Sequence, residues 1–479
     1  MQFLILLLCL LAIFVPLKAT TKEDIFNATR STLTTEQKIQ FDKNSKKLEM
    51  IRAIQRKIFE EQQTGKSAEM ASIAGAAEIN IKKDPMLNPH MFQGDMFLTD
   101  TQMDKVISDI QNELDNKAKA SSISNRSKRS IDAVMSFKWK FPIRYYLGPT
   151  LSVSDKNVIE ASLTELKAST CVKFSKQLSP IVGFPGLNIK KAEGCWSYVG
   201  QIFSNQPQDV SIGEGCQHIG IIQHELSHAL GLEHEQSRPD RDNYLFIYPA
   251  NIISGLEDQF VKASASSVKD YGILFDFGSA MLYPKTAFSK NGQNTVVPKI
   301  AVYYEAVGQH SRLSFSDYKM INLHYCSTAC ILKIKCLNGG FQNPNKCTQC
   351  ICPNGFAGVF CSEIKKTGAI CGNIELKATA YAQVLTRYGA VNCYFRITTD
   401  TNYKIKIIVK SVDVSVADPC VVGRGLEVKF RSDMTYSGAV FCGKNNTART
   451  ITSARNLAMI HYPGLASSHS FILTYQRIV

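Results

Sequence analysis

His224-Glu225-Leu226-Ser227-His228-Ala229-Leu230-Gly231-Leu232-Glu233-His234 is the stretch that decides how this chain is read. Imidazoles four residues apart on a helix leave it from one face, with Cβ atoms about 5–6 Å apart. That separation lets His224 and His228 reach one ion at the roughly 2.0–2.1 Å of Zn–N bonds. A helix is therefore predicted over 219–231. Gly231 can adopt the left-handed conformation that ends it, so that His234 swings back as a third ligand. Three neutral imidazoles leave one position for water, the pattern of a catalytic zinc site and not of a sealed structural one. Glu225 directly follows the first ligand and is the natural general base for that water.

The flanks place this motif in a secretory chain. Residues 3–15 form an unbroken apolar stretch followed by Pro16-Leu17-Lys18-Ala19, which reads as a signal peptide over 1–19 and is too short to span a bilayer. No later stretch could cross a membrane. Cys9 lies in that leader, and the 14 remaining cysteines all fall from Cys171 onward. An even, clustered set after a signal peptide implies disulfides and an oxidising compartment. Sequons at Asn27, Asn125 and Asn445 fit a secreted glycoprotein.

Between leader and motif, residues 20–129 are polar and free of cysteine. Helices are predicted over 38–61, with Ile39, Leu48, Ile51 and Ile54 on one face, and over 101–119. The segment ends in Arg126-Ser127-Lys128-Arg129, a basic tetrad that looks like a proprotein-convertase site. Ser154 is a candidate cap for a helix burying Ile159, Leu163 and Leu166. Beyond the motif, six cysteines lie between Cys330 and Cys361, in a unit too small to hold together without staples. Alternating stretches over 403–416 and 471–479 read as strands of a β-sandwich. Residues 327–479 carry 18 basic and seven acidic groups, so the net charge of +14 is concentrated there. Such a region suits acidic glycans or matrix, and a secreted chain leaves nucleic acid aside.

The run continues Glu235-Gln236-Ser237-Arg238-Pro239-Asp240, and the whole resembles the signature of the astacin family of metzincin zinc endopeptidases. Gly278-Ser279-Ala280-Met281-Leu282-Tyr283 is similar to that family's Met-turn, with Leu282 where the family usually has His. The resemblance implies an α+β, two-lobed catalytic domain over 130–327. In it Met281 underlies the metal and Tyr283 is a switchable ligand that then helps stabilise the oxyanion. Glu235 would receive the amino group freed at Ser130, and Lys285 would line the pocket after the scissile bond. Phe92-Gln93-Gly94-Asp95 resembles the family's propeptide motif, in which an aspartate, here Asp95, binds the zinc before activation. Residues 328–363 resemble an EGF-like module and 371–479 a CUB domain, an order familiar in nematode astacins. The implied disulfides are Cys171–Cys326, Cys195–Cys216, Cys330–Cys347, Cys336–Cys350, Cys352–Cys361, Cys371–Cys393 and Cys420–Cys442.

Taken together, the expectation is a zymogen of 20–129 plus protease, with one Zn2+ per subunit, a convertase as activating partner and extracellular proteins as substrates. A secreted adhesion protein with a dead protease domain is the rival, and loss of a ligand or of Glu225 would favour it; all are present. A zinc amidase fits the Met-turn poorly. A matrix-metalloproteinase relative would need a propeptide cysteine, which 20–129 lacks. The CUB-like module is expected to localise the enzyme. His218, His310, His324, His461 and His469 have no ligand spacing and are read as surface or core groups, and Trp139 and Trp196 as packing aromatics.

Overall fold

The computed structural model describes residues 21–63, 84–119, 131–132 and 137–479. The leader, Asn125, the Arg126–Arg129 tetrad and Ser130 lie outside the described residues. The α+β class expected from the sequence is the class observed.

Among the described residues three helices come first: α1 (Lys22–Ser31), α2 (Thr35–Gln63) and α3 (Asp100–Lys119). In α2 Gln37, Phe41, Asn44, Leu48, Ile51, Gln55 and Ile58 are buried, alternately four and three apart with Phe59 beside the last, which is the seam of a helix packed on a helix. Met103 and Ile110 of α3 meet it. Ile39, expected on this face, is 57% exposed, because a step of two residues from Phe41 crosses to the other side of the helix.

The next part of the chain begins with a five-stranded sheet. Its spatial order is Phe174–Gln177, Ile143–Leu147, Gly186–Lys190, Pro207–Ile212 and Cys195–Ser197. The first four strands run parallel and Cys195–Ser197 lies antiparallel on the edge. Helices α4 (Val153–Ser169) and α5 (Ile219–Ala229) pack on it through Ile159, Leu163, Leu166, Ile222 and Leu226. Ser152, and not Ser154, caps α4: its hydroxyl takes the Asp155 amide while Asp155 reaches back, a capping box that Ser154 cannot make. The last carbonyls of α5 accept from Trp139 Nε1 at 2.7 Å (Ala229) and Tyr325 OH at 2.9 Å (Leu230), so its frayed end is fixed by side chains.

Below α5 the chain is mostly turns and short 3-10 segments, closed by α6 (Phe315–Tyr325). Two small hairpins held by Cys330–Cys347, Cys336–Cys350 and Cys352–Cys361 follow. Two stacked sheets then form a sandwich, stapled by Cys371–Cys393 and Cys420–Cys442. Cys171–Cys326 and Cys195–Cys216 staple the preceding domain. The sandwich does not hang free. Leu426, Val428, Ala439 and Phe441 share one continuous core with Phe275, Phe277 and Tyr303 of the domain before it. Among the described residues, no helix is long and apolar enough to cross a membrane.

Candidate metal centre

His224 and His228 lie on α5, one turn apart, with rings 4.6 Å between centroids. The helix stops at Leu230, and Gly231 takes φ +97°, a value that side chains rarely adopt. That turn brings His234 back, so its ring stands 4.7 Å from His228 and 5.1 Å from His224. All three are almost wholly buried.

Each ring is oriented by an acceptor on its far side. His224 Nδ1 donates to the Ala280 carbonyl at 2.8 Å, His228 Nδ1 to Leu232 at 2.7 Å and His234 Nδ1 to Gln93 Oε1 at 3.0 Å. Carbonyl oxygens only accept, so the proton sits on Nδ1 and the Nε2 lone pairs face inward. They converge: His224 Nε2 is 2.9 Å from that of His228 and 3.2 Å from that of His234. Asp95 enters the same space, with Oδ2 3.2 Å from His224 and His234 and Oδ1 3.5 Å from His228. Four acceptors gathered within 4.8 Å, with no proton among them, repel one another unless a cation lies between. Three neutral imidazoles and a carboxylate suit Zn2+ in both ligand type and number. Burial pushes His234 down to about 4, which keeps it neutral, as a ligand must be.

Asp95 is delivered by a segment threaded along the domain's sheet edge. Ser197 N donates to Asp95 O and Phe97 N to Ser197 O, both at 2.9 Å, and Cys195 N donates to Pro85 O at 2.9 Å. The turn that aims the carboxylate uses Gln93 at φ +50° and Gly94 at φ +88°. A Cβ on Gly94 would lie 2.4 Å from the Met86 carbonyl, so only glycine fits.

Glu225 is fully buried beside His224, and neither of its oxygens has a hydrogen-bond partner within the protein. Burial first, and then the Asp95 charge, push its pKa well above the usual carboxylate range. Tyr283 is buried with its ring 5.1 Å from His234 and its hydroxyl unpartnered within the protein. Burial, then Asp95, raise that phenol well above its ordinary value. Met281 is buried, and its carbonyl accepts from Glu235 N at 2.7 Å. The turn around it is tied to α6: Asp317 accepts from Ser279 Oγ at 2.7 Å and from Ala280 N at 3.1 Å. Glu235 Oε1 accepts from Asp276 N at 2.7 Å. Lys285 turns toward the C-terminal sandwich, its Nζ 2.6 Å from Asp418.

Three residues at this centre carried no assigned role in the sequence. Gln93 orients His234, Asp317 holds the turn that orients His224, and Gln236 Oε1 accepts from Tyr283 N at 3.0 Å. His310 has no ligand spacing, yet it packs edge-on against His224, with centroids 5.7 Å apart.

Comparison with known proteins agrees with this geometry. The model for Astacin (Peptidase family M12A) matches residues 133–326. Zinc metalloproteinase nas-23 of Caenorhabditis elegans is 33% identical over 396 residues, which are 80% of this chain and 70% of that protein. The chain belongs to the astacin family of zinc metallopeptidases. A second relative, zinc metalloproteinase nas-34 of the same nematode, is 35% identical over 406 residues, 83% of this chain and 66% of that protein. Against nas-30 the share of the relative covered is 54%, so the chain spans about half to two thirds of most of these relatives. Among solved structures, high choriolytic enzyme 1, a hatching-enzyme zinc protease of medaka, matches at 28% identity. That match covers 43% of this chain and 98% of the other, with a TM-score of 0.36.

Proposed function

We propose that this astacin is the precursor of a secreted zinc endopeptidase, with leader 1–19, propeptide 20–129 and protease 130–327. The reading extends to an EGF-like module over 328–363 and a CUB domain over 371–479. The observation that carries it is the Asp95 carboxylate lodged among three inward-facing imidazole nitrogens, with the unpartnered Glu225 carboxylate beside them. His224, His228 and His234 would hold zinc, with Asp95 as the fourth ligand until activation. Zinc bound there supplies Lewis acidity, acidifying a water and polarising the scissile carbonyl. Glu225 takes the proton from the attacking water and hands it to the leaving amine. The Tyr283 hydroxyl donates to the oxygen on which charge develops. Met281 supports the ligands from below, and Glu235 receives the amino group of Ser130 after cleavage at Arg129 by a convertase. Extracellular proteins are the substrate class. Acidic glycans are the proposed anchor, supported by the exposed Lys404 and Lys410 on one sandwich strand.

The test is hydrolysis of a quenched peptide library by the processed full chain, with metal content measured in parallel. Activity should vanish with a chelator and return with Zn2+; turnover indifferent to chelation would overturn the reading.

Two smaller expectations go with this reading. Gly94→Ala puts a methyl group against the Met86 carbonyl and strains the turn, so the unprocessed precursor should begin to hydrolyse peptide. A variant as silent as the unsubstituted precursor would show that the turn does not aim Asp95. Lys285, two residues past Tyr283, is proposed to favour Asp or Glu in the residue after the scissile bond. Lys285→Ala should flatten that preference in a cleavage profile, and a wild-type profile without it ends the idea.

A further inference from the structure

Lys285 is held from two sides. Its ammonium lies 4.6 Å from the centroid of the Tyr304 ring and 2.6 Å from Asp418 Oδ1, a residue of the C-terminal sandwich 133 positions on. The lysine side chain is 14% exposed and the aspartate 77%. The pair therefore has a largely shielded cation and a carboxylate open to solvent, a geometry in which one carboxylate can be exchanged for another at little cost.

Asp418 is not carried on a loose tail. Two residues on, Cys420 is bonded to Cys442, and its amide donates to Glu305 O at 2.7 Å, next to Tyr304. Cys442 N donates to the Glu305 carboxylate at 3.1 Å. Farther along the same face, Arg431 donates to Phe275 O at 2.6 Å and Leu274 N to Tyr436 OH at 2.6 Å. Ser437 N donates to the buried Asp276 at 3.1 Å, and Asp276 N donates to Glu235. With the shared apolar core, these contacts place the sandwich against the backbone that leads into the Met281 turn.

We propose that Asp418 is a specificity-determining residue. It is a carboxylate lent by the C-terminal sandwich that occupies Lys285 in place of an acidic substrate side chain, and so sets how strongly the enzyme selects Asp or Glu there. The inference rests on the reading of Lys285 as a wall of that pocket. A substrate carboxylate must displace Asp418 before it reaches the ammonium, whereas a neutral side chain neither displaces it nor gains from its loss. The sandwich then belongs to the substrate cleft, beyond the localising role expected of it.

The experiment uses the processed full chain and matched peptides bearing Glu or Gln after the scissile bond. Asp418→Asn should raise kcat/KM for the Glu peptide about two- to fivefold through KM, the range expected of an exposed ion pair, and leave the Gln peptide unmoved. The gain should shrink as salt is raised, and Lys285→Ala should abolish it in the double variant. Asp400→Asn removes another exposed carboxylate of the sandwich, one paired with Lys377 and Arg477, and should change neither peptide. If Lys285→Ala leaves the Glu preference intact, the pocket reading itself has failed. If Lys285→Ala removes the preference while Asp418→Asn does nothing, or Asp400→Asn gives the same gain, the pocket stands and the role of Asp418 is overturned.

Discussion

Glu225→Gln is expected to retain one equivalent of zinc while peptide turnover falls about 10²- to 10⁴-fold, the usual loss when a general base is removed. The separation of the two readouts follows from where the residue sits. Its neighbours on α5, His224 and His228, are oriented by the Ala280 and Leu232 carbonyls and take nothing from Glu225. The substituted side chain keeps its volume in a fully buried position, so the helix has no cavity to collapse into. What changes is proton capacity: an amide cannot take a proton from water and return it to an amine. The measurement is metal content by mass spectrometry beside kcat on a peptide from the processed enzyme. A zinc-loaded variant with more than about 1% of wild-type turnover would remove Glu225 from the mechanism.

The centre was legible in the sequence to the extent that its parts are side chains at fixed helical spacing. Two histidines one turn apart, a glycine to end the helix and a third histidine define a position in space almost without the rest of the fold. What orients those rings was not legible, because two of the three acceptors are backbone carbonyls, which every residue possesses. The third, Gln93, lies 141 residues from His234 and becomes a partner only when the turn at Gln93 and Gly94 is folded. The misplaced cap at Ser154 has a similar cause: Ser152 and Ser154 have equal intrinsic claims, and only the reciprocal bond with Asp155 separates them. Lys285 illustrates the same limit across domains. The family resemblance suggested a pocket there, but nothing local announced a carboxylate from the sandwich, since such a pair forms only when Phe277, Tyr303 and Phe441 come together in one core.

Latency has the other large expected effect, and it separates into two steps. Asp95→Ala should produce a precursor that cleaves peptide before any processing, whereas Arg129→Ala should produce one that stays silent in cells that process the wild type. The first outcome follows from the acceptor count at the centre. Among the described residues Asp95 supplies the one carboxylate grouped with the three imidazoles, and its removal leaves the fourth position to solvent, within reach of Glu225. The surrounding segment should stay docked. Its backbone bonds to Cys195 and Ser197 do not involve the side chain, and Arg52 of α2 still reaches Asp258 at 2.9 Å. Activity should therefore be partial, limited by Gln93 and its segment, which stay packed against His234, and it should rise further when the chain is cut at Arg129. Full latency of Asp95→Ala would assign inhibition to that packing alone, and the aspartate would then be a structural passenger. Arg129→Ala controls for the opposite error, because activity without cleavage there would mean that the propeptide leaves by another route. A peptide assay on purified precursors, with the amino terminus of each product sequenced, distinguishes all of these outcomes.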